Sequence, residues 1–234
     1  MPNRKNDATT PKCHPEPQRR NDDRAKLTKA RICNAMVSCL DEVGYREASI
    51  NLVQARAGVS RGALTYHFPS KEDMVIEVLE RLLDPVRGEA GEAGRPLLPP
   101  RTTGRGDGLR TDLKRLWSRL VNTSEGRAMF EILVAARTDT ALQARISPSL
   151  AKYNEQINRS ILSLYTAPTG GDDDVVILWT ICRTFLRGLH VQERFEVDPD
   201  TMDAVMDRFA ELIAPLMVPR KTSQEMQDHD EKPV

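Results

Sequence analysis

The stretch 50–67 constrains the fold of this chain more than any other part of it. It reads as two short helices, Ile50–Ala57 and Arg61–His67, separated by only a few residues. Gly58 follows the first helix, where a residue with positive φ is needed and glycine adopts that conformation without strain. Two helices this short and this close must cross at a steep angle, so the spacing predicts a helix-turn-helix.

Capping residues support both helices. Ser49 and Ser60 each precede a helix start and are good N-caps. Pro69 ends the second helix, because the residue before a proline disfavours the α region. Val59 then fills the crossing, and Leu64 packs the second helix onto its neighbours. Small and polar residues are left on the outer face.

The rest of the chain is also helical in pattern. A first helix is expected over 23–43, with Gly44 as its stop, and a fourth helix after Ser70 that extends to residue 83. Further helices are expected near 109–122, 123–137, 139–166, 172–193 and 199–217. No convincing alternating run predicts a half-buried strand, so the fold class is all-α.

Composition divides the chain into segments. Residues 84–108 contain six glycines and four prolines, a composition that no regular element survives, and predict a linker. The two ends lack periodicity. We therefore expect a disordered basic tail at 1–23, a helix-turn-helix domain at 24–83, a linker at 84–108, a helical domain at 109–217 and a disordered tail at 218–234.

Charge separates the N-terminal third from the remainder. Residues 1–71 carry 13 Lys and Arg against 7 Asp and Glu, a net of +6, whereas residues 72–234 carry a net of −6. This asymmetry indicates that only the first part meets a polyanion. Arg19, Arg20, Arg24 and Lys26 fit either an arm that contacts nucleic acid or a solvated charged tail.

Several classes of protein are excluded by what the sequence lacks. The longest strongly apolar stretch, 175–182, is far too short to span a bilayer, and no secretory signal is visible. The four cysteines have no metal-binding spacing, and we expect those in the helices to be packed thiols. We find no catalytic set, so we expect no enzyme, no cofactor, no metal and no membrane partner, in a cytoplasmic protein.

The run Ala57–Asp73, AGVSRGALTYHFPSKED, resembles the signature of TetR/AcrR-type transcriptional regulators. The resemblance covers about residues 24–83 and is far more specific than a generic helix-turn-helix. Two features depart from the family pattern. Gln54 stands where the family commonly has alanine, which indicates a looser crossing or a polar contact, and the segment 84–108 is longer than expected.

The resemblance implies an all-α homodimer with three-helix DNA-binding heads and a ligand-binding, dimerising body. Its partners would be a double-stranded DNA operator and a small-molecule effector of unknown identity. By position, bases would be contacted by Ser60, Arg61, Gly62 and Thr65, and phosphates by Ser49, Tyr66, His67 and Lys71. Arg61 is the only long donor on the outer face, which makes it the best candidate for a bidentate guanine contact.

The body yields weaker candidates. Residues that could line a pocket are Trp117, Phe130, Tyr153, Trp179, Arg183 and Phe185, although aromatic rings in such positions are more often plain core. A stripe at three-to-four spacing predicts a dimer interface through Met202, Val205, Met206, Phe209, Leu212 and Ile213. The same stripe would also serve as intramolecular core.

Arg183 and Arg187 lie one turn apart in an apolar helix. A buried arginine needs a partner, and Glu131, Glu193 or an acidic ligand would each supply one. The function that the sequence favours is a ligand-responsive repressor that binds a palindromic operator. The alternative is a DNA-binding adaptor that recruits a protein through its body without a small-molecule effector.

Overall fold

The computed structural model describes residues 17–87, 108–169, 171–195 and 198–220. The N-terminal unit, here called the head, consists of four helices: α1 (Pro17–Glu47), α2 (Ile50–Ala57), α3 (Arg61–His67) and α4 (Lys71–Arg87). The bounds of α2 and α3 agree with the prediction at both ends. The predicted stop at Gly44 is confirmed as a break inside α1, where φ is 76° and ψ is 171°.

Two predicted boundaries of the head are wrong. Helix α1 begins at Pro17, inside the expected tail, because proline is well tolerated in a first helical turn and none of the following residues breaks a helix. Helix α4 continues to Arg87, past the expected end at residue 83. Most of the expected linker, and both expected outer tails up to residue 16 and from residue 221, lie outside the described residues.

The C-terminal unit, here called the body, contains five α-helices among its described residues. They are α5 (Gly108–Leu116), α6 (Ser124–Ala136), α7 (Thr140–Leu164), α8 (Asp172–Glu193) and α9 (Pro199–Ile213). Helix α7 runs through Pro148. Between α5 and α6 lies a π-helical turn, Trp117–Val121, where the sequence predicted continuous α-helix.

Two short strands complete the body. Strand β1 (Tyr165–Thr166) pairs antiparallel with β2 (Val218–Pro219). The prediction of no strand is wrong here, because two residues are too few to show an alternating pattern. Helix α9 consequently ends at Ile213, short of the predicted residue 217, and the chain turns back toward the end of α7.

The core consists of two apolar clusters that do not follow the expected domain boundary. One cluster joins the head to α6 and the first half of α7, with Met36, Leu64 and Met74 packed near Ile132 and Leu142. The other fills the body around Leu113, Tyr165, Trp179, Leu186 and Met217. Tyr153 packs against both clusters. Cys33, Cys39 and Cys182 are buried and free, as expected for packed thiols.

In the described part of the chain, no helix is long and apolar enough to cross a membrane. The same residues contain no group of three or more His, Cys, Asp or Glu side chains arranged to hold a metal ion.

Candidate functional site

The turn between α2 and α3 is built from local hydrogen bonds. Gly58 lies in the left-handed region at φ 60° and ψ 41°, as the helix-turn-helix requires. The Ser49 hydroxyl accepts from the Leu52 N–H, and the Ser60 hydroxyl accepts from the Ala63 N–H at 3.2 Å. Both predicted N-caps are confirmed, and each serine oxygen is engaged by its own helix.

Arg31 on α1 holds the same turn from one side. Its Nη2 donates to the Ala57 carbonyl at 2.7 Å and to the Gly58 carbonyl at 3.2 Å. These carbonyls lie at the C-terminal end of α2, where a cation is favourable. Sequence reasoning missed Arg31, because its partners lie 26 and 27 residues away and no local pattern marks the pairing.

The outer face of α3 is open to solvent. Arg61, Gly62 and Thr65 are exposed, and Tyr66 is 82% exposed. A Cβ added to Gly62 would meet no atom within 4 Å. Leu64 points the other way into the core. A helix with small residues and one long donor on its free face can lie deep in the major groove of DNA.

The corner that precedes α2 is fastened by Lys71. Its Nζ donates to the Tyr45 carbonyl and lies 4.3 Å from the centre of the Tyr45 ring. Burial lowers the pKa of the Lys71 ammonium. Lys71 is half-buried, as is His67, whose ring centre lies 5.2 Å from that of Tyr66. The ammonium therefore has a structural role in the head.

A cavity lies in the body between the π-helical turn, α6, α7 and α8. About 630 Å³ of atom-free space lies among its lining residues, a volume that includes open solvent. Its apolar wall includes Leu116, Leu120, Val121, Met129, Phe130 and Leu133. Its polar groups are Tyr153, Trp179, Arg183, Arg187 and His190.

The polar groups of the cavity are incompletely paired. Arg183 Nη1 donates to Asn154 Oδ1 at 2.8 Å, but Arg183 Nε is buried without a hydrogen-bond partner among the described residues. Trp179 Nε1 and His190 Nδ1 are likewise buried without a hydrogen-bond partner among the described residues. Burial, followed by the nearby charge of Arg187, lowers the pKa of Arg183, and burial also lowers the pKa of His190.

Helix α6 forms one wall of the cavity and also holds the head. Arg127 makes a bidentate ion pair with Asp41 on α1, and this pairing lowers the pKa of the Asp41 carboxyl. One turn later, Glu131 Oε2 accepts from the Tyr45 N–H at 3.2 Å. At the start of α6, a Cβ on Gly126 would lie 2.0 Å from the Leu120 carbonyl oxygen, so α6 and the π-helical turn are in close contact.

Comparisons with known proteins agree with this geometry. The profile described as "Bacterial regulatory proteins, tetR family" matches residues 32–78. An uncharacterised HTH-type transcriptional regulator of Mycobacterium tuberculosis is 32% identical over 152 residues, which cover 62% of this chain and 72% of that relative. The chain belongs to the TetR family. It is a DNA-binding transcriptional regulator with an N-terminal helix-turn-helix and a helical C-terminal region.

Two further relatives extend the likeness into the body. The HTH-type transcriptional regulator CymR of Pseudomonas putida is 27% identical over 198 residues, or 84% of this chain and 94% of CymR. The crystal structure of a TetR-family regulator from Rhodococcus sp. superposes with a TM-score of 0.54 at 19% identity. It covers 80% of this chain and 98% of the other, and so shares the fold.

The residues expected to contact DNA in this TetR-family chain lie between the end of α1 and the start of α4. Six of them are exposed around α2 and α3, whereas His67 and Lys71 are half-buried. As DNA contacts all eight stay predictions: Ser49, Ser60, Arg61, Gly62, Thr65, Tyr66, His67 and Lys71.

The expected pocket residues are divided by the structure. Phe130, Tyr153, Trp179 and Arg183 line the cavity, but Trp117 and Phe185 do not. Trp117 begins the π-helical turn, whose wider winding brings Leu120 and Val121 to the wall instead. Phe185 faces α9, where it stacks on Phe209 with ring centres 3.8 Å apart.

Sequence reasoning did not place His190 in the pocket. The available signal was spacing, since Trp179, Arg183, Arg187 and His190 follow one another at intervals of four, four and three along one face of α8. Gly126 gave no such signal, because only the folded chain shows its contact with the π-helical turn.

The stripe expected to form an interface on α9 points in two directions. Met202, Met206, Phe209 and Ile213 pack into the body core, as in the intramolecular alternative, and their part in an interface stays a prediction. Val205 and Leu212 are exposed, the latter by 65%. Other large apolar side chains on these two helices and at their ends, whose exposure sequence reasoning missed, are Ile177, Ile181, Val191, Phe195 and Leu216.

Proposed function

We propose that this TetR-family regulator is a repressor that binds a palindromic operator as a homodimer and is released by a small molecule. The observation that carries the proposal is that a single helix, α6, both walls the cavity and holds the head. Met129, Phe130 and Leu133 face the cavity, while Arg127 and Glu131 bind α1.

A ligand in the cavity would act on the head through this helix. Displacing α6 would pull on the Tyr45 backbone, which is bonded on one side to Glu131 and on the other to Lys71 at the start of α4. The corner at Tyr45 leads directly into α2 and α3. The ligand must bind the released arrangement more tightly than the DNA-bound one for this coupling to operate.

The outward face of α8 and α9 is our candidate for the dimer interface. On α8, Ile177, Ile181 and Gly188 recur on one side of the helix and are exposed, and Phe195 just beyond its end is exposed as well. A Cβ on Gly188 would meet nothing within 4 Å, so a second helix could approach closely there. Two such helices from each protomer would form a four-helix interface.

In a dimer, each head would present α3 to one major groove. We propose that Arg61 reads a guanine while Ser60, Gly62 and Thr65 lie against neighbouring bases. Ser49, Tyr66, His67 and Lys71 would lie beside phosphates. We also propose that the chain divides functionally near residues 84–108, and that it acts in the cytoplasm, where it meets the chromosome.

The exposed face of α8 and α9 also favours the adaptor alternative, since large apolar patches mark protein interfaces. A homodimer would bury this patch, and the regulatory signal would then be the small-molecule effector. A monomer in solution would leave it open for a different protein.

Selection of bound sequences from random DNA tests the proposal. We expect a near-palindromic site with two half-sites about one helical turn apart, or a small multiple of that spacing. Compounds related to the genes beside the genomic site should then release the protein from it in a binding assay. Recovery of single, asymmetric half-sites would contradict the homodimer, and release by none of those compounds would favour the adaptor.

A further inference from the structure

The cavity has one polar side, and apart from Tyr153 on α7 its polar side chains all come from helix α8. Trp179, Arg183, Arg187 and His190 line it in successive turns. Trp179 is 1% exposed and His190 is 9% exposed, yet neither Trp179 Nε1 nor His190 Nδ1 has a partner among the described residues. With Arg183 Nε, three buried ring or guanidinium nitrogens on this side have hydrogen-bonding capacity that the described chain leaves unused.

In the part of the chain that the structure describes, no carboxylate pairs with either arginine. None of the residues that line the cavity is an Asp or a Glu. The two carboxylates that the sequence offered as partners bind elsewhere: Glu131 accepts from the Tyr45 N–H, and Glu193 accepts from Asn122 Nδ2 at 2.9 Å. Within the described ranges, Arg187 makes no hydrogen bond or ion pair, and Arg183 is bonded only to the neutral Asn154.

An anion between the two arginines would be favourable. Both residues are half-buried, burial of a cation is costly without a compensating charge, and like charges four residues apart on a helix repel each other. A planar oxyanion matches the guanidinium fork and would satisfy both arginines at once. The wall formed by the lining residues from Leu116 to Leu133 is apolar and aromatic, so beyond Tyr153 the rest of the lining offers no side chain to further polar groups.

We infer that the cavity binds a small carboxylic acid with an apolar, ring-sized body. Its carboxylate lies against Arg183 and Arg187, and its ring lies among Leu120, Met129 and Phe130. This inference rests on the proposed function, because it names the chemical class of the effector.

Calorimetric titration of the full chain with three matched compounds tests the assignment. The compounds are 2-naphthoate, 2-naphthamide and 2-naphthylmethylamine, which share a ring system and differ in charge. We expect the acid to bind about thirtyfold or more tightly than the neutral amide, because the amide leaves the two cations unpaired. The amine should bind most weakly.

Substitution of each arginine tests whether Arg183 and Arg187 bind the carboxylate. Arg187→Gln and Arg183→Gln should each reduce the affinity for the acid by about thirtyfold and leave that for the amide nearly unchanged. Arg159→Gln is the matched control, since Arg159 lies on α7, is exposed and pairs with Glu155. It should bind all three compounds as the unmodified chain does.

Any of three results would overturn the inference: the acid does not bind, the amide or the amine binds as tightly as the acid, or both glutamine variants bind the acid as tightly as the unmodified chain does. The melting temperature of the unliganded chain is a further readout, because it distinguishes an arginine that binds the ligand from one that only stabilises the fold. Unliganded Arg187→Gln should melt at or above the temperature of the unmodified chain, whereas a fall of several degrees would show that the guanidinium supports the fold.

Release from the selected operator is measured separately. If 2-naphthoate binds through Arg187 and leaves DNA binding unchanged, the proposed effector function fails and the ligand class stands. If an uncharged compound releases the DNA and the acid does not bind, the effector function stands and the ligand class fails.

Discussion

The helix-turn-helix and the cavity differ in where their polar groups find hydrogen-bond partners. In the head, the Ser49 and Ser60 oxygens bond to amides three residues along the same chain segment. In the body, Trp179 and His190 keep buried nitrogens that no described residue satisfies. These serine oxygens are therefore satisfied within the head, whereas the cavity has hydrogen-bonding capacity that the described residues leave unused. This difference fits our proposals that the head reads DNA and that the cavity binds a ligand.

The largest expected effect concerns the outer face of the body. Leu212→Glu should convert dimers to monomers, because it places an unpaired charge in the proposed interface twice and costs roughly 3–5 kcal/mol per site. Light scattering measures the result. Lys152→Glu, at an exposed position on α7, is the control that should remain dimeric. Dimers in Leu212→Glu would move the interface to another surface.

Substitution of two glycines compares the cavity wall, at Gly126, with helix α3, at Gly62. Gly126→Ala should destabilise the protein by about 3 kcal/mol or more, because its Cβ would lie 2.0 Å from a backbone oxygen. Gly62→Ala has open space and should change stability by less than about 1 kcal/mol, in the stabilising direction expected from helix propensity. Thermal unfolding separates the two, and equal losses would contradict the contact with the π-helical turn.

Specificity should depend on Arg61. Arg61→Ala should relax the preference at one mirrored pair of operator positions, at a cost of about 1–3 kcal/mol for each half-site. The fold should be unaffected because Arg61 is exposed. Arg61→Lys should rescue only partly, since lysine lacks the planar fork. Binding-site logos give the answer: an unchanged logo with lower affinity would make Arg61 a phosphate contact.

Substitution of Lys71 should have a smaller effect, and it tests the structural role of the ammonium separately from its proposed phosphate contact. Lys71→Ala should lower stability by about 1 kcal/mol, because it removes a hydrogen bond to the Tyr45 carbonyl. If the ammonium also contacts a phosphate, as proposed, the slope of log affinity against log salt should fall by about one. Unfolding and salt titration measure the two roles independently. An unchanged slope would leave Lys71 with its structural role alone.

The smallest expected effect depends on pH. The Arg127 guanidinium lowers the pKa of Asp41 in the folded chain, so the pair stabilises the fold above the unfolded pKa of about 4 and loses that contribution as pH falls through the folded pKa. Asp41→Asn should therefore cost about 1 kcal/mol near pH 7. The difference should vanish in melting curves below about pH 3, and a constant difference would exclude this linkage.

The sequence predicted the head far better than the cavity, for a physical reason. Ser49, Gly58 and Ser60 act on residues within a few positions, so their roles are visible in the local pattern. Phe185 and Arg187 lie two residues apart on one apolar helix, and nothing local tells that one meets Phe209 and the other the cavity. The π-helical turn was equally hidden, because Trp117–Val121 has an ordinary helical composition.

The ring of Tyr153 belongs to both apolar clusters, and the head's own cluster includes Ile132 and Leu142 from the body. A fragment that ended after α4 would leave the faces that meet these residues open to water, although it contains the whole helix-turn-helix. Loss of the body would thus cost the head part of its own interior. The functional division that we propose is consequently not a folding division, and we expect head and body to melt together in one cooperative transition.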